Sequence, residues 1–280
     1  MRDIGARGVA AVVALAALFG CAPIGPDPAA AQPPLVLVLR SVPDPADDPF
    51  VDELRAQRLV PGRDLILEPA GPRATYPDEA AVTAAFDELD REPAVIVAYS
   101  TPYAQLATER YPDVPTVSVV NDPVASGLVA DRDAPEGNIT GVTFATPADR
   151  TLELAAQVTG GDLDRIGHLI PADDPAVIGP RRRLRVAAGE RGTEVVEAFF
   201  SDPGGIGEAV ATLVAAEVDA VLLGASNTVV ASLAELETAF AATSLPVIAN
   251  NGRIGFAVAV LEPDGGSVRR QVAVQVARLL

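Results

Sequence analysis

Lysine is absent from this 280-residue chain; all twenty-one basic residues are arginine. That excludes Schiff-base chemistry, lysine-anchored cofactors and the P-loop lysine together. Tryptophan is also absent, and histidine, cysteine and methionine occur once each. One His and one Cys cannot assemble a zinc cluster, and no cofactor is implied. A Ser-His-Asp site would have to use His168, which lies in the apolar run Arg165–Ile170. There it reads as a strand histidine on a polar face or with a local partner. Catalysis by carboxylates alone is the common enzyme chemistry that composition leaves open.

What is present in excess is acid: 38 Asp and Glu give a formal net charge of −17. Such a surface repels phosphate backbones, so nucleic acid is excluded as a partner class. Apolar residues make up 49 % of the chain, mostly Ala, Val and Leu, which suits a packed globular protein despite few aromatics.

Arg2 and Arg7 precede the apolar run Val9–Gly20, which ends at Cys21 and is followed by a stretch rich in Pro and Ala. A basic start, a short apolar segment and a small residue at the cut describe a secretory signal too short to span a membrane. The ending Leu18-Phe19-Gly20-Cys21 resembles a bacterial lipoprotein box, which implies lipidation of Cys21; a plain signal peptide is the alternative. The expected organisation is a signal peptide over 1–20 and an anchor and tether over 21–34.

From Leu35 onward, short apolar runs alternate with amphipathic helical patterns. Leu35–Leu39 is apolar throughout, as a strand covered on both faces should be. Further strands are expected at 64–68, 94–99, 116–120, 141–144, 165–170, 194–199, 220–223, 247–250 and 256–261. Helices are expected over 78–90, 147–158, 175–191, 204–217 and 228–242. This alternation predicts an α/β protein with parallel sheets flanked by helices. Two lobes of about five strands suit a ligand cleft. The run Arg181-Arg182-Arg183-Leu184-Arg185 spreads around a helix and reads as a solvated face or as partners for surface carboxylates.

Ligands of open parallel sheets bind beyond the carboxyl ends of the strands. Those ends offer Ser100 and Thr101 before a helix, Asp122 in Asn121-Asp122-Pro123, Asn227 in a polar helix cap, and Asn250 before Asn251-Gly252. Helix N-termini beside Ser100, Thr101 and Asn227 suit a carboxylate. Asp122 reads equally as the cap of a short helix or as a carboxylate facing the cleft, where it would meet an ammonium. Together they describe a site for a zwitterion such as an amino acid.

At these residues the chain resembles the tryptophan/tyrosine-type substrate-binding proteins of ABC importers. The elements are Phe50–Leu54, Gly62–Leu65, Val95–Ala98 with Thr101-Pro102, Asn121–Val129 with Gly137–Gly141, and Asn227–Val229. The resemblance implies a two-lobed type I periplasmic-binding fold with a ligand cleft between the lobes. Lobe 1 would span 35–143 and lobe 2 144–250, with hinges near Phe144 and between Asn250 and Phe256. Residues 251–280 would cross back to lobe 1 and end in a helix, short of the family's usual tail. Ser226 stands where many members carry Asp, and Gly252–Asp264 lacks the family's paired glycines and tyrosine. The implied protein is an extracytoplasmic lipoprotein, held at the membrane by its anchor. It would capture a small zwitterion, an aromatic amino acid under the resemblance, and deliver it to an ABC permease with its ATPase. A sensory module without transport, and a carboxylate-only enzyme on the same architecture, are the competing readings.

Overall fold

The computed structural model describes residues 32–41, 43, 48–70, 75–161 and 163–280. The expected signal peptide, Cys21 and all but the end of the tether lie outside the described residues.

Two five-stranded sheets, parallel throughout, carry the fold. The first has the order β2-β1-β3-β4-β5, built from Leu35–Leu39 (β1), Ile66–Glu68 (β2), Val95–Ala98 (β3), Thr116–Val120 (β4) and Ile139–Thr143 (β5). Side chains alternate across a strand, so each sheet separates two apolar layers. Val36 and Val38 of β1 join Val95, Val97 and Val117 beneath helices α1 (Pro49–Ala56) and α9 (Gly265–Leu279). Leu37 and Leu39 face the other way, with Ile96 and Ala98, toward α2 (Glu79–Glu88) and α3 (Thr101–Arg110). All five β1 residues are buried, and each such side chain contributes about 1.5–3 kcal/mol.

The second sheet has the order β10-β9-β8-β6-β7. Its strands are Arg165–Pro171 (β6), Glu194–Phe200 (β7), Ala220–Leu223 (β8), Val247–Ala249 (β9) and Ala259–Val260 (β10). Helices α4 (Ala148–Thr159) and α5 (Ile178–Arg191) cover one face; α6 (Ile206–Ala215) and α8 (Leu233–Ala241) cover the other. Left-handed Gly160 and Gly192 end α4 and α5, a conformation that costs other residues a steric penalty.

The chain passes from the first lobe to the second between β5 and α4. It returns through residues 261–264, later than the expected 250–256, because Ala259 and Val260 pair with Ile248 and Ala249 on the second sheet. The Thr146 hydroxyl donates to the Leu261 carbonyl at 3.3 Å, tying the two crossings together.

The helix expected over 228–242 is two helices, α7 (Asn227–Ala231) and α8, broken at Ser232. A Thr-Val-Val run crowds the backbone, and Ser232, at φ −105° and ψ 18°, ends the first helix and opens the second. The Asn138–Gly141 element has a packing role. The Asn138 amide donates to the carbonyls of Tyr111 (2.9 Å) and Val114 (2.7 Å), fixing the start of β5. Gly141 lies opposite Ser118, and a Cβ there would collide with the Ser118 carbonyl and hydroxyl, so glycine lets β4 and β5 pair.

Candidate functional site

A cavity of about 390 Å³ opens between the lobes at the carboxyl ends of both sheets. From the first lobe, Ser41, Tyr99, Ser100, Thr101, Asn121 and Phe144 line it; from the second come Asp174, Ser226, Asn227, Val230 and Asn251. Arg40, Arg253, Arg269 and Glu262 complete its charged wall.

The helix α3 is aimed at this cavity by a buried anchor. Tyr103, 1 % exposed, donates its hydroxyl to the Tyr76 carbonyl at 2.6 Å. Burial pushes its phenol pKa up to about 12, so it stays a donor across the physiological range. One turn earlier, the Ser100 hydroxyl accepts from the Tyr103 N–H at 3.4 Å and caps the helix. Pro102 contributes no N–H, and the first-turn N–H of Thr101 has no partner within the helix. Thr101 is buried and lines the cavity, so this terminus offers donors and a partial positive charge to an anionic group.

Across the cavity, the Ser226 hydroxyl accepts from the Val229 N–H at 3.1 Å. Asp174 is held at the start of the turn before α5. Its Oδ1 accepts from the Ala176 N–H at 2.9 Å, and its Oδ2 from the Thr228 hydroxyl at 3.2 Å. Glu262, on the return crossing, accepts from the Gly252 N–H at 2.7 Å and fixes the 251–253 turn against the hinge.

Among the described residues, polar contacts draw the lobes together. The Ser41 hydroxyl donates to Asn227 Oδ1 at 2.8 Å, and the Asn121 amide donates to the Ala225 carbonyl at 3.3 Å. Arg253 donates to the Pro43 carbonyl at 3.0 Å, and Arg183 pairs with Asp122 at 2.5 Å.

Of the residues singled out from sequence, Ser100, Thr101 and Asn227 come together on the cavity wall. Asp122 lies outside it. One oxygen caps the turn after β4, accepting from the Ala125 N–H at 3.0 Å, and the other meets Arg183 of α5. The helix that Asp122 was expected to cap is a turn. Asn250 also lies outside the lining, and Asn251 takes that place. The Asn250 N–H donates to the Leu223 carbonyl and continues the sheet, and Asn250 Oδ1 is buried without a hydrogen-bond partner among the described residues.

Sequence reasoning missed Arg40, Ser41 and Asp174. The signal was available, since Arg40 and Ser41 follow β1 and Asp174 follows β6 by three residues. Arg253, Glu262 and Arg269 reach the cavity only because the return crossing passes over it. Of the arginine run, Arg181 and Arg185 pair with Glu197 at 2.5 and 2.7 Å, in agreement with partnered carboxylates. Burial works to raise the Glu197 carboxyl, and the two guanidiniums outweigh it, leaving the net shift downward.

A family model described as ABC transporter substrate binding protein matches residues 73–259, more than half of the chain. A tyrosine-binding protein of Clostridioides difficile is 26 % identical over 208 residues. That alignment covers 74 % of this chain and 59 % of the relative, so the chain spans about three-fifths of the relative's length. Among solved structures, a conserved domain protein from Vibrio cholerae superposes with a TM-score of 0.75 at 24 % identity, over 88 % of this chain and 84 % of that one. An ABC domain in complex with L-Trp from Streptococcus pneumonia gives the same TM-score and coverage at 19 % identity. A ligand-free, open substrate-binding protein with adhesive properties from Clostridium difficile gives 0.60 at 21 % identity, over 88 % and 84 % of the two chains. The fold is the two-lobed type I periplasmic-binding fold.

Proposed function

Because the chain belongs to the family of ABC transporter substrate binding proteins, we propose that its interlobe cavity captures an amino acid and hands it to a membrane permease. The observation that carries this reading is the cavity itself: about 390 Å³, walled by both lobes, with the α3 terminus on one side and Asn227 on the other. The ligand carboxylate sits at Ser100 and Thr101, where the helix dipole and the Thr101 N–H favour negative charge. Asn227 reaches it from the second lobe. The ammonium turns to a carboxylate of the wall, Asp174 or Glu262, since Asp122 is engaged by Arg183. Tyr99, Phe144, Val230 and Val268 supply the apolar surface for a side chain, aromatic ones included. The tyrosine-binding relative and the L-Trp complex support this choice of ligand class.

A thermal-shift series with L-tryptophan, L-tyrosine, L-leucine and the remaining amino acids tests the reading. A ligand at 100 times its Kd stabilises the fold by about 2.7 kcal/mol, a rise of several degrees. No shift with any amino acid at millimolar concentration would overturn the amino-acid assignment.

The protein acts outside the cytoplasm, held at the membrane by lipid on Cys21. The apolar run ending at that cysteine supports this, and multiple acyl chains are needed for stable anchoring. In a bacterial host the wild type should fractionate with membranes and Cys21→Ser should be released or misprocessed. Equal soluble recovery of both would exclude the lipid anchor.

A further inference from the structure

We propose that Asp122, Arg183 and Gly179 form a latch at the rim of the cleft that holds the lobes closed and so sets ligand affinity from outside the cavity. Asp122 belongs to the first lobe, directly after β4. Arg183 and Gly179 belong to α5 of the second lobe. None of the three lines the interlobe cavity.

Two independent features meet at this point. The first is charge: Arg183 Nη1 pairs with Asp122 Oδ2 at 2.5 Å, with the side chains 32 % and 15 % exposed. The second carboxylate oxygen is held by the Ala125 N–H, so Oδ2 is presented to α5 in a fixed direction before the lobes meet. Arg181 and Arg185 of the same helix turn to Glu197 within their own lobe, whereas Arg183 crosses to the other.

The second feature is shape. Gly179 is buried in the first turn of α5, and its backbone has ordinary helical geometry that any residue adopts. What requires glycine there is the neighbour: a Cβ would fall inside the Asp122 side chain, well within van der Waals contact of its Cβ and carboxylate. Gly179 therefore lets α5 approach the first lobe closely enough for Arg183 to reach Asp122. An ion pair between lobes forms only when they are together, so its free energy enters the open–closed equilibrium and through it the apparent affinity for any ligand of the cavity. These are positioning residues, acting through closure and not through ligand contact.

Small-angle scattering of the purified protein without added ligand tests the latch, and it does so independently of the amino-acid reading. The wild type should be compact, and high salt should expand it by screening the pair. Gly179→Ala should give a larger radius of gyration, with a melting temperature unchanged or raised because alanine favours the helix. Arg183→Gln should fall between the two and keep a cooperative melt. Any amino acid that binds should do so about two- to fivefold more weakly to either variant, the range expected for a partly exposed ion pair. Identical scattering from wild type, Arg183→Gln and Gly179→Ala would overturn the proposal. So would a lowered melting temperature at unchanged radius in both variants, the mark of a merely structural contact.

Discussion

Acidification from pH 7 to pH 5 should destabilise the protein by about 2 kcal/mol through one side chain, His168. This histidine sits in the middle of β6, flanked by Glu197 on β7 and Leu222 on β8, and is 3 % exposed. It lies on the face covered by α5, not on a polar surface. Its Nδ1 has no hydrogen-bond partner among the described residues. Burial lowers its pKa from 6.5 to about 4; the Glu197 carboxylate pulls upward, and Arg181 and Arg185 push further down. As pH falls below 6.5 the unfolded chain takes up the proton and the folded chain does not. Stability is therefore undiminished above pH 6.5 and lost between 6.5 and 4, about 3 kcal/mol in all. Glu197, whose pKa is depressed, adds loss in the same direction at the acid end of that window. Urea unfolding at pH 7.5, 6 and 5 reads the effect while staying above the isoelectric point of about 4.4. His168→Leu should flatten the slope between pH 6.5 and 5; equal slopes for both proteins would show that the folded histidine titrates normally.

Phe50→Ala should cost about 3–5 kcal/mol, a large part of a typical domain's stability. Phe50 is 1 % exposed in α1 and shares its layer with Leu54, Val268, Val272 and Val276. Truncation removes the ring's transfer free energy and leaves a cavity between α1 and α9 that close-packed neighbours cannot fill. The same layer reaches the interlobe cavity, because Val268 both packs here and lines it. Phe199, 46 % exposed on β7 with the Arg181 guanidinium 5.0 Å from its ring centre, is the milder case: Phe199→Ala should cost about 1 kcal/mol. Denaturant midpoints of the two variants decide the matter. A loss under 1 kcal/mol for Phe50→Ala would mean that α1 and α9 do not close the first lobe as described.

Much of the candidate site was legible because it lies where strands end. Ser100 and Thr101 follow β3 and open α3, and Asn227 opens α7 after β8, so a strand-to-helix transition marked each of them. The same rule applied to β1 and β6 finds Ser41 and Asp174. Asn250 and Asn251 could not be separated, since adjacent residues at a strand end face opposite sides and sequence does not say which side is the cleft. The motif around Asn138 and Gly141 is specific in sequence for a packing reason: one residue satisfies two loop carbonyls and the other admits a neighbouring carbonyl.

By itself the sequence determined the α/β class, the strands of both sheets and most of their helices. Those depend on local periodicity and on apolar runs such as Leu35–Leu39, whose length and composition suit a strand covered on both faces. Only the tertiary structure shows which partners Asp122 has. A carboxylate at the end of a strand is chemically free to cap, to bind an ammonium or to pair. The choice went to Arg183, 61 residues away, because α5 is packed against the rim of the first lobe. It likewise decided where the chain returns: the sequence marks a strand over 256–261 but not its sheet, and only the pairing of Ala259 and Val260 with β9 assigns it to the second lobe.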